Sequence, residues 1–188
     1  MGRNKALNGK NQIVEAAIVL IDREGEDALS IRNLSRELNV APMTIYNYLK
    51  NIDDVKREVL IQHFNQVSRA ILERLTGGNP EGYSREERYV TIYVDIYYDY
   101  FEEHIELLRF ILGTGYTKFH DDAELRHFMR PLEIFYHQKK DRDEKLAYHL
   151  CEDLIYMMLR NQVEKRDVLT REEMQYRARF IVDRILQH

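Results

Sequence analysis

The sequence predicts an all-α protein in which a small N-terminal helical head is joined to a larger helical body. Apolar residues recur mostly at the 3.6-residue spacing of an amphipathic helix, and the alternating pattern of a strand is missing. Three prolines and eight glycines in 188 residues leave long stretches in which helices can continue. Hydrophobic residues make up 44% of the chain, enough for a packed core. We expect about nine helices from this pattern.

The first two helices of the head are marked by their end signals. The first helix carries an apolar stripe and ends at Gly25, which suits a C-terminal cap. Ser30 is a strong N-cap for the second helix, and Leu29 and Leu34 occupy the two positions of a hydrophobic staple. Asn39 then tolerates the left-handed backbone conformation that a tight turn requires. These signals predict a helix-turn-helix.

The third helix, predicted over residues 41–50, has the two faces of a DNA recognition helix. Ile45 and Leu49 lie four residues apart and anchor it to the core of the head. The opposite face carries short polar or aromatic side chains, which suit base edges and thymine methyl groups in the major groove. Asn47 can pair bidentately with adenine. The face consists of Pro42, Met43, Thr44, Asn47 and Tyr48.

Contacts with DNA phosphates are predicted beside this face. Tyr46 and Lys50 stand at positions from which they can meet phosphates, and so does Arg32 at the start of the second helix. An ordinary helical corner in an all-α bundle would show a similar apolar pattern, and it is the alternative to DNA binding. The chain also begins with a basic arm formed by Arg3, Lys5 and Lys10.

The body begins inside the fourth helix, and we divide the chain into a DNA-binding head of residues 1–54 and a regulatory and dimerisation body of residues 55–188. Asn51 is the expected N-cap of the fourth helix, which a glycine-rich break follows. Ser84 and Glu87 form a capping box that opens a long fifth helix. The remaining predicted helices span residues 104–112, 121–139, 143–164 and 170–187.

Aromatic residues are frequent in the body and admit two interpretations. Core packing accounts for any single one of them. A buried tyrosine needs a partner for its hydroxyl, however, so a group of tyrosines favours an apolar cavity with polar points, as ligand sites usually are. The hypothesis is that an unknown, partly aromatic or amphipathic small molecule binds among them. The proposed lining is Tyr93, Tyr97, Phe101, Phe110, Tyr116 and Phe135.

Apolar stripes on the last two helices predict an interface between two copies of the chain. A single head is small, so useful sequence specificity implies two heads that read half-sites related by two-fold symmetry. In a monomer the same stripes could instead close the core of the body. The proposed interface residues are Leu150, Leu154, Met158, Ile181 and Ile185.

Other classes of function lack their sequence signals. There is no glycine-rich phosphate loop, nucleophile elbow or Cys–His signature, so we expect no enzyme, no catalytic residue and no cofactor. The histidines are scattered over several helices, whereas a metal site needs three or four convergent ligands. No apolar run approaches a membrane span, no apolar secretory signal is visible, and Cys151 is the single cysteine, so we expect a cytoplasmic protein.

The segment SIRNLSRELNVAPMTIYNYLKNIDDV resembles the DNA-binding domain of the TetR family of bacterial regulators. The resemblance is strongest over residues 8–60, and its most specific part is the run from Thr44 to Leu49. It implies a repressor that binds a palindromic operator as a homodimer, through a four-helix interface, and is released by a small-molecule effector held in the body. The residues that the match implies for DNA contact are Ser30, Arg32, Pro42, Met43, Thr44, Tyr46, Asn47 and Tyr48.

The sequence departs from the family pattern just after the third helix. The family usually has a lysine there, whereas this chain has Ile52 followed by two aspartates. Lys50 or Lys56 is the candidate to replace that phosphate contact. The alternative function is a protein of the same fold that binds DNA away from promoters, or that acts as a co-activator through a protein partner.

Overall fold

The computed structural model describes residues 9–79 and 81–186, and every regular element within these ranges is helical. The predicted all-α class is therefore confirmed. Arg3 and Lys5 of the predicted basic arm lie outside the described residues. None of the helices in the described ranges is both long and apolar enough to cross a membrane.

Capping residues mark the start of the second and fourth helices of the head and the end of the second. The Oγ of Ser30 accepts a hydrogen bond from the Asn33 N–H at 3.2 Å. Asn39 closes the second helix in the left-handed conformation, with φ 54° and ψ 49°. The Oδ1 of Asn51 accepts from the Asp54 N–H at 2.9 Å. The elements are α1 (Lys10–Glu24), a 3₁₀ turn (Glu26–Ala28), α2 (Ile31–Leu38), α3 (Pro42–Tyr46) and α4 (Ile52–Leu75).

The body contains three long helices and a run of short ones. The capping box of Ser84 and Glu87 is present, and it opens the first long helix. The elements are α5 (Arg85–Glu103), α6 (Ile105–Phe110), a π-helical turn (Ile111–Gly115), α7 (Tyr116–Phe119), α8 (Arg126–Met129), α9 (Glu133–Tyr136), α10 (Arg142–Val163) and α11 (Arg171–Leu186).

The predicted helix over residues 121–139 is wrong. The structure has two short helical turns there, α8 and α9, which are separated at Pro131. Proline has no N–H and disfavours the helical conformation in the residue before it. Arg130 accordingly has φ −119° and ψ 76°.

Two other predicted helices have different bounds from those expected. The regular part of α3 ends at Tyr46, and the chain continues as a turn in which the Leu49 N–H donates to the Ile45 carbonyl at 3.1 Å. The predicted helix over residues 104–112 runs on through the π-helical turn into α7. Gly113 bends it there, with φ −99° and ψ −105°.

The hydrophobic core forms two clusters, and the boundary between them differs from a simple division at residue 54. The core of the head includes Leu34 and Ile45, but also Leu107 and Phe110 of α6. Helix α6 therefore packs on the head. The Nδ1 of His104 lies 2.7 Å from an Asp22 carboxylate oxygen, which joins the same two parts. The second cluster lies among α4, α5, α10 and α11.

Candidate functional site

The outer face of α3 is formed by the residues that the sequence assigns to DNA contact. Ile45 and Leu49 are buried and hold the helix on the head. Met43 is 70% exposed, and the rings of Tyr46 and Tyr48 are also exposed. The structure therefore turns the anchors inward and the other side chains outward. Of the remaining residues on this segment, Pro42, Asn47 and Lys50 are exposed and Thr44 is half-buried.

The start of α2 flanks this face. Arg32 is exposed, so its guanidinium can reach a neighbouring molecule. Ser30 is half-buried, and its Oγ is used as the N-cap acceptor for Asn33. The hydroxyl hydrogen of Ser30 can still be donated, because a hydroxyl group both accepts and donates.

The charges after α3 are compensated within the chain. The carboxylate of Asp53 lies 2.5 Å from the Nζ of Lys118, and Asp54 accepts the Lys50 N–H at 2.9 Å. The Nζ of Lys56 lies 2.6 Å from Glu26, and the Lys56 side chain is largely buried. Among the described residues, Lys50 has no ion-pair partner. Of the two lysines considered for the missing phosphate contact, Lys50 is therefore the available one.

A cavity lies in the body between α4, α5 and α10. Its volume is about 380 Å³, which includes space open to solvent. Of the six residues expected to line a pocket, Tyr93, Tyr97 and Tyr116 do so. The other lining residues are Phe64, Ile111, Leu112, Phe128, Met129, Pro131, Glu152, Ile155 and Tyr156.

The other three residues expected at the pocket lie elsewhere. Phe110 is buried in the core of the head. Phe101 packs beside Tyr98, with ring centroids 5.8 Å apart. Phe135 meets Tyr89 edge to face at 5.4 Å. Tyr93, Tyr97 and Phe101 share one helical spacing, but only the packing separates the two at the cavity from the one that lies elsewhere.

Glu152 is the polar feature of the cavity that sequence reasoning missed. Its side chain is buried, with the residue 8% exposed. One carboxylate oxygen accepts the Leu132 N–H at 2.9 Å and the other accepts the Tyr136 hydroxyl at 3.2 Å. Burial raises the pKa of Glu152 to about 7, against the opposing effect of these two hydrogen bonds. The sequence contains a signal for the burial of Glu152, because the residues on the same helix face are apolar or aromatic. They are Tyr148, Ile155 and Leu159.

Tyrosine hydroxyls provide further polar points around the cavity. The Tyr93 and Tyr97 rings lie 4.7 Å apart, and burial raises the pKa of both hydroxyls. Tyr156 donates its hydroxyl to the Leu112 carbonyl at 2.6 Å, and its ring stacks on Tyr116 at 4.0 Å. The cavity wall is thus apolar with a few hydrogen-bonding groups.

A second cavity of about 590 Å³, also partly open, adjoins the first. The two share Phe64, Tyr93, Phe128 and Pro131. The segment with α8 and α9 covers both of them. The two cavities therefore lie side by side beneath the same segment.

The same segment is connected to the head through α4. Arg57 lies 2.7 Å from Asp122 and 2.6 Å from Glu124, both just before α8. Farther along α4, the ring of Phe64 stacks on Phe128 with centroids 5.5 Å apart. Side chains that cover the cavity are therefore in contact with the helix that begins in the head.

A buried histidine lies close to these contacts. His63 on α4 is 1% exposed, and neither ring nitrogen has a hydrogen-bond partner among the described residues. Its ring is surrounded by Phe64, Tyr97 and Tyr100 at 4.8 to 5.8 Å between centroids. Burial lowers the pKa of His63 to about 3, so the ring is neutral at physiological pH.

The outer face of α10 and α11 carries exposed apolar side chains. Leu150 is 47% exposed, and Leu154 is exposed beside it. Met158 is buried, while Ile181 and Ile185 are half-buried against the core of the body. The sequence prediction therefore mixed outward and inward positions. Leu146 and Met157, which belong to the predicted stripe of α10, are also exposed, and the exposed residues that the prediction left out are Tyr176 and Phe180 of α11.

The described part of the chain contains no group of side chains that could bind a metal ion and no reactive thiol. No three histidine, cysteine or acidic side chains in these residues are grouped so that they could hold a metal ion. Cys151 is fully buried, and burial raises the pKa of its thiol to about 12. The thiolate that would react is therefore not formed at neutral pH.

Comparisons with known proteins point to regulators. No family model matches the chain. A protein of Bacillus subtilis is 29% identical over 69 residues, which cover 35% of this chain and 36% of the relative. One of Mycobacterium tuberculosis is 32% identical over 69 residues, 37% of this chain and 31% of the relative. Both are named uncharacterized HTH-type transcriptional regulators, and the match spans about a third of their length.

A third relative matches over nearly the whole chain. It is a Staphylococcus aureus protein named as an HTH-type transcriptional regulator, 21% identical over 196 aligned positions, and the match covers 97% of each chain. The similarity is thus to transcriptional regulators and fits a chain that is not an enzyme.

Proposed function

We propose that this chain is a DNA-binding transcriptional regulator of the TetR type, which acts as a homodimer. The observation that carries the proposal is the outer face of residues 42–50, where Met43 on α3 and Asn47 and Tyr48 in the turn after it are exposed, and where Ile45 and Leu49 anchor the segment. An exposed face of this kind can enter the major groove and contact base edges. The relatives named as helix-turn-helix regulators support the same function.

Arg32 and Lys50 are the proposed phosphate contacts on either side of this face. Both are exposed cations, and each phosphate that they neutralise releases counterions from the DNA. Asn47 and Tyr48 are the proposed base contacts. Phosphate contacts set affinity and its salt dependence, whereas base contacts set sequence preference.

Binding to a duplex from the region upstream of the chain's own gene tests these roles, measured by fluorescence anisotropy against a shuffled duplex. Asn47→Ala is expected to reduce the preference for the upstream duplex by about tenfold or more, because a good bidentate contact contributes about 1–3 kcal/mol. Arg32→Ala is expected to weaken binding to both duplexes alike and to lower the salt slope by about one per head. Lys140→Ala, which removes an exposed charge from the body, is the control. Unchanged preference in both the Asn47 and the Tyr48→Ala variants contradicts the assignment.

The exposed apolar face of α10 and α11 is the proposed dimer interface. Contiguous exposed apolar surface marks interaction sites, and two copies of this helix pair would form a four-helix contact. Leu150→Glu combined with Leu154→Glu is expected to give a monomer in analytical ultracentrifugation. Leu72→Glu, at an exposed leucine on α4, is the matched control and should leave the dimer intact. A dimer that survives the double substitution excludes this face.

Repression with release by a small effector is the proposed mode of regulation. The cavity beneath the α8–α9 segment would hold the effector, and Arg57 on α4 would connect that segment to the head. To turn DNA binding from nearly full to nearly absent, the effector needs about 5.5 kcal/mol of differential affinity between the two conformations. A co-activator that works through a protein partner is the alternative, and a promoter-specific repressor is distinguished from it by direct binding to the upstream duplex.

A further inference from the structure

The cavity contains an acid without a counterion. Among the described residues that line it, only Glu152 can carry a full charge at neutral pH. Its two hydrogen-bond donors, the Leu132 N–H and the Tyr136 hydroxyl, are both neutral. Within the described residues, no lysine or arginine nitrogen forms an ion pair with it. A buried carboxylate is costly unless it is paired, so this position is not explained by stability.

The charged groups that face Glu152 compensate its charge only in part, through Arg130, which also bonds the Tyr136 hydroxyl. Arg130 and Glu133, from the α8–α9 segment, act on the carboxyl in opposite directions. Arg130 is itself within 3.1 Å of the His149 Nε2, and Glu133 is paired with His127 at 2.7 Å. From α5 and α7, the facing groups are the neutral hydroxyls of tyrosines. Burial raises the pKa of Glu152 to about 7, although its two hydrogen bonds and the charge of Arg130 oppose the rise.

Aromatic rings form most of the remaining wall. Six of the lining residues are Phe or Tyr, from α4, α5, α7, α8 and α10. The face of an aromatic ring attracts cations within about 6 Å, and clusters of such rings bind quaternary ammonium groups. The stacked pair of Tyr116 and Tyr156 and the neighbouring pair of Tyr93 and Tyr97 stand on the wall with the carboxylate.

We propose that the effector cavity takes an organic cation with an apolar body, whose charge is neutralised by Glu152 and faced by the surrounding tyrosine rings. This inference rests on the proposed regulatory site and names the class of its ligand. Phe64, Phe128 and Ile155 form the apolar part of the lining that would face the body of the ligand, and the second cavity adjoins the first at Phe64 and Phe128. A bound cation stabilises the ionised form of this carboxyl, whereas a neutral ligand gains nothing from its charge and an anion is repelled by it.

Two probes of the same shape test the class of ligand. Benzyltrimethylammonium carries one positive charge, and neopentylbenzene replaces its nitrogen with carbon and is neutral. Calorimetric titration of the full-length chain at pH 8, without DNA, is expected to show at least about tenfold tighter binding of the cation, equivalent to 1.4 kcal/mol. Equal binding of both probes, or no binding of the cation at millimolar concentration, overturns the proposal.

The variant Glu152→Gln tests whether the preference for the cationic probe depends on Glu152. Its amide oxygen can still accept the Leu132 N–H, so the local structure is expected to persist. The cation should lose at least about tenfold in affinity while the neutral probe is unaffected. Glu172→Gln, which removes an exposed carboxylate from α11 outside the first cavity's lining, is the matched control and should bind the cation normally. A Glu152→Gln variant that retains full preference for the cation contradicts the role of Glu152.

The pH dependence of cation binding to the unsubstituted chain tests the role of the Glu152 charge without any substitution. Because the carboxyl has a pKa of about 7, it is mostly ionised at pH 8 and mostly protonated at pH 6. The affinity for the cation is therefore expected to fall by about tenfold from pH 8 to pH 6, while that for the neutral probe stays constant. Since both titrations omit DNA, failure of this proposal leaves DNA binding, measured separately, unaffected.

Discussion

The head and the body of this chain differ in where they keep polar groups. In the head, the exposed face of α3 carries the polar and aromatic side chains, and the core beneath it is almost entirely apolar. In the body, His63, Glu152 and Gln162 are buried. Gln162 is satisfied, because its amide bonds both the N–H and the carbonyl of Leu169. The polar atoms of Glu152 and His63 are not satisfied as fully as those of Gln162. A buried acid at a cavity is therefore better explained by function than by stability.

The two regions are nevertheless not independent, and the largest expected effect tests their connection. Leu107 belongs to α6 of the body but is buried in the core of the head. Leu107→Ala is expected to destabilise the chain by about 3 kcal/mol, as buried leucine truncations do. Leu72→Ala, at an exposed leucine, should have almost no effect.

Hydrogen exchange locates the damage of the Leu107 substitution. Amides in α1 and α2 are expected to exchange faster in the variant, because α6 packs against the head. Faster exchange confined to α6, with α1 and α2 unchanged, would show that the head folds as an independent unit.

His63 should make stability sensitive to acid. Its pKa in the folded state, about 3, lies below the unfolded value of 6.5, so only the unfolded chain takes up a proton as the pH falls. The contribution of His63 to the free energy of unfolding is therefore fully present above pH 6.5, and it decreases by about 2 kcal/mol as the pH falls from 7 to 5. His63→Phe fits among aromatic rings and should remove this loss.

The free energies of unfolding of the unsubstituted chain and of the His63→Phe variant are measured in urea at pH 7 and pH 5, at one protein concentration. His120→Phe, at an exposed histidine, serves as the control and should follow the unsubstituted chain. The assignment fails when His63→Phe gains no stability relative to the unsubstituted chain at pH 5.

Glu152 should act with the opposite sign over the same range. Its pKa in the folded state, about 7, lies above the unfolded value of 4.5, so the folded chain holds a proton that the unfolded chain has lost. Its contribution to stability is therefore full below pH 4.5 and decreases by about 2 kcal/mol between pH 5 and pH 7. Glu152→Gln is expected to gain stability relative to the unsubstituted chain as the pH rises through this range.

The contributions of Glu152 and His63 nearly cancel between pH 5 and pH 7. Each single variant should therefore show a stronger pH dependence than the unsubstituted chain, and the two dependences should have opposite slopes. Parallel slopes in the two variants would contradict the ionisation states assigned to both residues.

The smallest expected effect concerns the turn of the head. Asn39 has a positive φ of 54°, a conformation that costs a residue with a Cβ roughly 1 kcal/mol and that asparagine tolerates better than most. Asn39→Ala is expected to lower the free energy of unfolding by about 1 kcal/mol. Asn39→Gly should be close to neutral. Equal destabilisation by both substitutions would point to the side chain of Asn39 and not to its backbone.

The elements of the head were predictable because their signals are local. The caps at Ser30 and Asn51, the left-handed Asn39 and the anchors Ile45 and Leu49 involve residues within one or two helical turns of each other. Pro131 is also a local signal. The predicted helix over residues 121–139 is wrong because the proline interrupts the helix although the apolar spacing continues past it.

Partners far apart in the chain could not be identified from spacing. Lys56 is held by Glu26 and Asp53 by Lys118, and these pairs decide that Lys50 remains available beside α3. The same holds for the aromatic residues of the body, since Tyr97 reaches the cavity while Phe110 joins the head. Periodicity shows that a residue faces inward but not which neighbour it meets.

Helix class, the capped starts of α2, α4 and α5 and the two faces of residues 42–50 thus follow from the amino-acid order, because hydrogen bonds and side-chain contacts within a helical turn determine them. The cavity, its buried Glu152 and the mixture of exposed and buried residues on α10 follow only from packing. Burial depends on which helices lie across from a residue, and residues separated by tens of positions come together only when the whole chain is folded.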